Sequence, residues 1–298
     1  MPAADLEDFL DAVAPKYAES SVRGHRLALQ SFLDFCSESR ILELSAFTEL
    51  DFQNYEAWLR CTRLRENTIY AKMRSLKLFL VWAQRVKRTL LDARACQLPT
   101  RHAVARAVPS AKVLKRLLEL PDRSTALGLR VLLVLELLYV LGLRSCECYR
   151  LNIRDLDFSR ETVRILGKGH VRRNLPLSPG VLWTANRYLT EARPLLRPTL
   201  ENDALLLSSW GRRLSQQMLL VIVKEYGQKI GLKLHPHLLR HCCATHLLAS
   251  GMDLEMVQQF LGHAYIDTTK TYVHVSYREL EKTFFQTHPR ALWKKVRA

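Results

Sequence analysis

The sequence lacks an apolar run long enough to cross a lipid bilayer. Its most apolar stretch, Val131–Leu143, contains Glu136 and is shorter than the roughly 20 residues that a membrane-spanning helix needs. The N-terminus is acidic and carries no secretory-leader pattern. An odd number of cysteines, seven, argues against a disulfide framework. We therefore expect a cytoplasmic protein with reduced thiols and no membrane-spanning helix.

Two kinds of catalytic motif are also missing. There is no GxxxxGK[ST] phosphate loop, and there is no CxxC or HExxH zinc spacing. Potential metal ligands do occur close together, at His235, His237, His241, Cys242, Cys243 and His246. However, His241 and His246 are five residues apart and point to different faces of a helix, which disfavours a shared metal. A metal-dependent hydrolase is kept only as an alternative, and we expect neither a metal nor a cofactor.

Acidic residues are scarce relative to basic ones. The chain has 45 Lys and Arg against 29 Asp and Glu, a formal net charge of +16. Residues 1–99 hold 14 basic and 13 acidic residues, so residues 100–298 hold the other 31 and 16. An excess of this size indicates a polyanionic partner, either nucleic acid or an acidic membrane surface.

Residues 1–89 show only helical periodicity. Two apolar stripes have the spacing of a buried helical face, namely Leu29, Phe32, Leu33 and Cys36, then Ile69, Met73, Leu76, Leu80 and Ala83. Ser20 or Ser21 would cap the first of these helices, and Asn67 would cap the second. Residues 90–110 carry Pro99 and Pro109 and read as a linker. Residues 111–298 are predicted to form the second domain.

The second domain contains one segment with the alternating pattern of β-strands. Helical patterns surround residues 162–177, which alternate on both sides of Gly167-Lys168-Gly169 and therefore predict a β-hairpin. Further helices are expected at about 179–196, 215–230, 237–250 and 253–261. The predicted fold class is mainly α with a small antiparallel β-sheet.

Taken singly, several short motifs in this domain can be explained without a catalytic role. His237 and Arg240 would share one face of a helix, and such a pair can hold a phosphate, although most pairs of this kind are solvated. Arg144 could simply interact with a helix end, and Lys168 could be an exposed turn residue. Tyr272 could be an ordinary half-buried tyrosine.

In sequence order, the same motifs resemble the active-site signature of the tyrosine recombinase (phage integrase) family, and of its Xer-type members in particular. The resemblance rests on Gly-Leu-Arg144-x-x-Glu147, Gly-Lys168-Gly, His237-x-x-Arg240, Leu-Gly-His263, Tyr272 and the terminal His288-Pro-Arg-Ala291. It spans roughly residues 3–291. It implies the two-domain DNA-breaking-rejoining enzyme fold, with a SAM-like helical DNA-binding domain at 1–89 and a mixed catalytic domain at 111–298.

The resemblance also implies a site-specific DNA recombinase or integrase that cleaves and rejoins DNA. Tyr272 would attack a DNA phosphate and form a 3′-phosphotyrosyl link. Arg144, Arg240 and His263 would bind the non-bridging oxygens, Lys168 would protonate the leaving 5′-oxygen, and His237 would assist. Since the link keeps the phosphodiester energy, neither ATP nor a metal is needed. A type IB topoisomerase-like enzyme and a catalytically silent DNA-binding protein remain the alternatives.

Partners follow from the same resemblance. The expected partner is double-stranded DNA carrying recombination sites, and no membrane partner is expected. The DNA-binding residues would be Arg65, Lys72, Arg74, Lys77, Arg172 and Arg173. Glu147 is read as a residue that orients an arginine, and Asp155 as a brace for the sheet. A homo- or hetero-tetramer would form on DNA by exchange of the C-terminal helix, with Phe284 and Phe285 as its apolar anchors; the alternative is that both pack on their own domain.

Overall fold

The protein divides into two compact units, Met1–Ala105 and Arg106–Ala298. The computed structural model describes residues 2–100, 108–167, 172–199, 203–262 and 277–292. The described part is mainly helical with one small antiparallel sheet, which confirms the predicted fold class.

The first unit is built from four α-helices. These are α1 (Pro2–Val13), α2 (Glu19–Glu38), α3 (Glu49–Cys61) and α4 (Glu66–Arg85). Its core is rich in aromatic rings that meet edge to face, such as Phe9 with Phe79 at 5.5 Å between ring centroids and Phe32 with Tyr55 at 5.7 Å. Ala93 also lies in this core, so part of the segment that was predicted to be a linker packs against the helices.

Helix starts in this unit match the sequence only in part. Helix α3 begins with a capping box between Thr48 and Asp51. Helix α2 instead has Ala18 as its N-cap and α4 has Arg65, neither with a side-chain capping bond, so the predicted caps at Ser20, Ser21 and Asn67 are wrong. Both helix starts are exposed, where water can satisfy the first-turn N–H groups without a capping side chain.

The second unit has helices on either side of a short hairpin. The first helices are α5 (Ala111–Glu119), α6 (Ala126–Tyr139) and α7 (Ser145–Arg150), and the strands are β1 (Leu156–Asp157), β2 (Thr162–Leu166) and β3 (Arg172–Pro176). They are followed by α8 (Pro179–Arg187), a π-helical turn (Tyr188–Ala192), α9 (Arg193–Leu195), α10 (Gln216–Lys229), α11 (Pro236–Ala249), α12 (Leu254–Leu261), α13 (Tyr277–Thr287) and α14 (Pro289–Leu292).

The sheet has the order β1-β2-β3, and both pairs are antiparallel. Val163 faces Leu175 and Leu166 faces Arg172. Because side chains alternate between the two faces of a strand, Val163 and Ile165 are buried while Arg164 and Leu166 are exposed. The two strands of the hairpin predicted for residues 162–177 are present and paired. Lys168, between them in the sequence, lies outside the described residues.

Helix α6 runs through the core of the second unit, with its residues from Gly128 to Tyr139 all buried. Within this apolar helix, Glu136 is fully buried. Its carboxylate accepts hydrogen bonds from Nε and Nη2 of Arg290 at 3.0 and 2.6 Å. The C-terminal segment is therefore anchored to the core of its own unit by a buried ion pair. None of the described helices combines the length and apolar character that crossing a membrane requires.

Removing the partner of a buried charge is strongly destabilising. We expect Arg290→Ala to lower the free energy of unfolding of the second unit by about 3–5 kcal/mol, because Glu136 loses its counter-ion inside the core. Arg187→Ala is the matched control, since Arg187 pairs with Glu191 at the surface and its loss should cost less than about 1 kcal/mol. Urea unfolding of both variants measures the difference, and equal losses would contradict a special role for the buried pair.

Candidate active site

One buried carboxylate organises the candidate active site. Glu147 is 3% exposed, lies in the first turn of α7, and is surrounded by three arginine side chains, those of Arg144, Arg173 and Arg240. Three positive charges around one negative charge leave the site positively charged. Such a site attracts an anion, and the planar guanidinium group suits a phosphate.

Arg144 is fixed at both its backbone and its side chain. It is the N-cap residue of α7, and its backbone N–H donates to Oε2 of Glu147 at 2.9 Å. Its Nη1 donates to Oε1 of Glu147 at 2.8 Å, and its Nη2 donates to the carbonyl of Gly262 at 2.9 Å. The side chain keeps 27% of its surface exposed, so it remains accessible to a ligand.

Arg240 reaches the same place from α11. Its Nη1 donates to the carbonyl of Gly142 at 2.6 Å and its Nη2 to that of Leu261 at 2.8 Å, and it lies 4.0 Å from Glu147. Burial, together with the positive charge of Arg144, lowers the pKa of Arg240 to about 10. The guanidinium therefore stays charged at neutral pH, as a phosphate-binding group must.

Two adjacent arginines of β3 have opposite environments. Arg172 is exposed, whereas the side chain of Arg173 is 13% exposed and makes a bidentate ion pair with Glu147, with both N–O distances 3.0 Å. Nε of Arg173 also donates to the carbonyl of Phe260 at 3.1 Å. Both residues were predicted to bind DNA, but only Arg172 presents its side chain to solvent.

The pKa of Glu147 reflects this crowding of positive charge. Burial by itself raises the pKa of a carboxyl group, yet the hydrogen bonds and charges of Arg173 and Arg144 outweigh burial and hold the pKa of Glu147 below its usual value. Glu147 is therefore ionised at neutral pH and acts as a fixed anion that holds the arginines. The sequence predicts that Glu147 orients an arginine, and its hydrogen bonds to Arg144 are consistent with that role.

Two glycines allow the backbone to come close at this site. Gly142 has a φ of +58°, and a Cβ placed there would lie 2.5 Å from Leu261 Cδ2. Gly262 ends α12 with a φ of +66°, and its Cβ would lie 2.8 Å from Nη1 of Arg173. Both positions have a left-handed conformation, and an added Cβ would displace a neighbouring side chain, so any residue other than glycine would be strained there. Their roles as backbone acceptors for Arg240 and Arg144 could not be inferred from the motif alone.

His237 lies at the start of α11, with an exposed side chain. It lines a groove of about 510 Å³ together with Ser145, the residue that follows Arg144. The other three predicted catalytic residues, Lys168, His263 and Tyr272, lie outside the described residues. His263 directly follows Gly262, and Tyr272 precedes α13 by five positions in the sequence.

The basic residues predicted for DNA binding in the first unit differ in their surroundings. Arg65 and Arg74 are exposed. Lys72 instead donates from Nζ to Oγ of Ser31 at 2.6 Å, and Lys77 donates to the carbonyl of Cys96 at 2.7 Å. Both lysines are half-buried, and burial lowers the pKa of Lys72. Their amino groups thus serve contacts inside the first unit.

Two further polar contacts are made by Asp155 and His246, which the sequence predicts to have structural roles. Asp155 accepts a hydrogen bond from Arg164 of β2 at 3.3 Å, in keeping with its reading as a brace for the sheet. His246 is buried and its Nδ1 lies 3.0 Å from the hydroxyl of Tyr139. Across the described ranges, no three His, Cys, Asp or Glu side chains are grouped so that they could hold a metal ion.

The helical first unit, the small sheet and the arginine-lined site together define the DNA-breaking-rejoining enzyme fold. The sequence profile of the Phage integrase family matches residues 108–279. Tyrosine recombinase XerD of Vibrio cholerae is 31% identical over 296 residues, which cover 96% of each chain. The chain belongs to the phage integrase family.

Other relatives match a shorter stretch more closely. XerD of Staphylococcus epidermidis is 42% identical over 177 residues, or 59% of this chain and 60% of that protein. The match to such relatives thus spans about 60% of their own length. Among solved structures, XerH bound to difH substrate in a pre-cleavage complex has a TM-score of 0.67 and 24% identity, covering 93% of this chain and 82% of XerH. A lambda integrase dimer bound to a COC′ core site has a TM-score of 0.67 and 14% identity. The match covers 92% of this chain and 99% of the lambda integrase chain. These structures share the fold.

Because folding lowers the pKa of Glu147, its ion pairs stabilise the folded state above the unfolded-state pKa of about 4.3, and this stabilisation is lost as pH falls below that value. We expect Glu147→Gln to have a much lower free energy of unfolding than the unaltered protein at pH 7. The difference between their free energies of unfolding should narrow as pH falls below about 4.3. Urea unfolding across pH 3–7 measures this difference. A difference that stays constant over this range would show that the Glu147 carboxylate is not held ionised by its arginines.

Proposed function

We propose that this chain is a site-specific DNA recombinase that cleaves and rejoins DNA through a covalent 3′-phosphotyrosyl intermediate on Tyr272. The observation that carries the proposal is the convergence of Arg144 and Arg240 on Glu147, at the end of α12 where the chain leads on to His263 and Tyr272. A pair of fixed guanidinium groups suits the two non-bridging oxygens of a phosphodiester.

In the proposed reaction the phenolic oxygen of Tyr272 attacks the phosphorus and the bond from phosphorus to the 5′-oxygen breaks. Arg144, Arg240 and His263 bind the non-bridging oxygens, whose negative charge grows in the transition state. His237 accepts the tyrosyl proton, and Lys168 donates a proton to the leaving 5′-oxygen. A 5′-hydroxyl of a partner strand then attacks the phosphotyrosine and releases Tyr272. Neither ATP nor a metal takes part.

Arg144 and Arg240 are preorganised to stabilise the charge that develops in the transition state. The guanidinium groups of Arg144 and Arg240 are held before substrate arrives, by Glu147 and by the carbonyls of Gly262, Gly142 and Leu261. Donors that are already oriented need no rearrangement as charge develops, and loss of one such donor typically costs about 100- to 1,000-fold in rate.

The proposed DNA partner is supported by relatives and by charge. XerH and lambda integrase, which share the fold, were solved bound to difH substrate and to a COC′ core site. The net charge of +16 provides the attraction for duplex DNA. Within the proposal, the first unit binds DNA with the helices of residues 1–89, and residues 111–298 form the catalytic domain. Full-length similarity to XerD disfavours the topoisomerase-like alternative.

We further propose that four chains assemble on DNA, as a homo- or hetero-tetramer, by exchange of α13. In the single chain this helix packs on its own unit, with Phe284 fully buried and stacked on Phe260 at 5.2 Å. Exchange of an identical element between chains can keep the same contacts, so the apolar anchor supports assembly as well as the isolated fold. Sedimentation of the protein on DNA with paired sites measures the stoichiometry.

The covalent step is tested with sheared chromosomal DNA from the source organism as the probe. We expect denaturing capture to recover protein–DNA adducts from the unaltered protein and none from Tyr272→Phe, because the variant lacks only the attacking oxygen. Sequencing of the captured DNA gives the target site. Adducts from Tyr272→Phe would assign the link to another residue, and no adducts from the unaltered protein would contradict the proposed function.

DNA contact by the exposed arginines is tested on a duplex of the captured sequence. We expect Arg172→Ala to weaken binding and to reduce the slope of log K against log salt concentration by about one, as the loss of one phosphate contact should. Fluorescence anisotropy at several salt concentrations measures both quantities. Arg187→Ala removes an arginine that is already paired with Glu191 and is the control. An unchanged slope for Arg172→Ala would remove Arg172 from the proposed DNA contacts.

A further inference from the structure

The side chain of Arg173 joins three separate parts of the second unit. It belongs to β3, its two Nη atoms hold both oxygens of Glu147 at 3.0 Å, and its Nε donates to the carbonyl of Phe260 near the end of α12. In the sequence, Lys168 lies between β2 and β3, and His263 follows Gly262. Glu147 in turn holds Arg144. The three parts of the chain that Arg173 joins therefore hold a group of the proposed reaction or adjoin one in the sequence.

The hydrogen bonds of Glu147 show why this contact matters for Arg144. A carboxylate offers about four lone-pair sites. Here four N–H groups use them: the backbone N–H and Nη1 of Arg144, and Nη1 and Nη2 of Arg173. With all four filled, the carboxylate has one orientation. Without Arg173, half of these hydrogen bonds are lost and the Glu147 carboxylate can rotate. Arg144 is then no longer held in one orientation by Glu147.

The close packing around Arg173 supports the same conclusion. Gly262 adopts a left-handed conformation, and a Cβ on it would lie 2.8 Å from Nη1 of Arg173. The carbonyl of this glycine accepts a hydrogen bond from Nη2 of Arg144. Arg173 and Arg144 thus contact the same residue at the end of α12, one by packing and the other by hydrogen bonding.

We propose that Arg173 is a positioning residue for DNA cleavage and makes no contact with DNA. Through Glu147 it orients the guanidinium of Arg144, and through the Phe260 carbonyl it fixes the end of α12 immediately before His263. This inference rests on the proposed function, and it separates Arg173 from its neighbour Arg172, whose side chain is exposed.

The test compares Arg173→Lys and Arg173→Ala with the unaltered protein. Lysine keeps the positive charge and the aliphatic stem but cannot form the bidentate contact, so it preserves the fold more readily than alanine. The substrate is a nicked duplex of the captured target sequence, on which cleavage releases a short strand and leaves the adduct trapped. Two quantities are measured, the dissociation constant for DNA and the rate constant of adduct formation at saturating protein.

We expect Arg173→Lys to lower the rate constant by about 10- to 100-fold, as small displacements of a catalytic group do, with the dissociation constant and its salt dependence unchanged. Arg187→Ala is the matched control, since Arg187 also donates to both oxygens of a glutamate, Glu191, but at the surface. It should match the unaltered protein in both measurements.

A double-variant cycle identifies the route of the effect. If Arg173 acts through Glu147, Glu147→Gln and Arg173→Lys together should slow cleavage by less than the product of their separate effects. Fully multiplicative effects would overturn the proposed route.

Three other outcomes are informative. A variant with a lower melting temperature but an unchanged rate constant below that temperature would make Arg173 merely structural. Weaker DNA binding with a salt slope reduced by about one would make it a DNA contact. Either result overturns this inference while the proposed function stands. Absence of adduct from the unaltered protein would instead refute the proposed function, and this inference with it.

Discussion

The ionised carboxylate of Glu147, buried among three guanidinium groups, is the interaction on which the rest of the site depends. A buried anion is costly unless it is paired and fully hydrogen-bonded, and Glu147 meets both conditions through Arg144 and Arg173. The arginines in turn could not be gathered so closely without this central negative charge, because like charges repel. The result is a rigid group of charges that keeps a net positive sign for an incoming phosphate.

The fold supplies the remaining constraints through backbone carbonyls rather than side chains. Gly142 and Leu261 accept from Arg240, and Gly262 accepts from Arg144, so the loop after α6 and the end of α12 meet at the two guanidinium groups. Such acceptors belong to the backbone and have no side-chain rotamer to change. Electrostatic stabilisation of developing charge depends on this kind of preorganisation, and it links the packing of a mainly helical unit to the proposed chemistry.

Sequence patterns predicted the hairpin, the helices of the second unit and the candidate residues themselves, because each follows from local periodicity or from a short motif. They did not separate Arg172 from Arg173, although a signal was present. Arg173 and Leu175 share one face of β3, and Leu175 is buried, so the alternation already placed Arg173 inwards. The bonds of Lys72 to Ser31 and of Lys77 to Cys96 could not be predicted, since their acceptors belong to elements distant in sequence. The same is true of the Arg290–Glu136 pair.

The central claim is that Arg144 and Arg240, held by Glu147, form the binding site for the phosphate that is cleaved. The structure of Tyr272→Phe bound to a duplex of its target sequence tests this claim most directly. We expect non-bridging oxygens of one phosphate at about 2.7–3.2 Å from guanidinium nitrogens of both arginines, with the Glu147–Arg173 contact intact. A bound duplex whose phosphates all lie beyond hydrogen-bond distance of both arginines would contradict it.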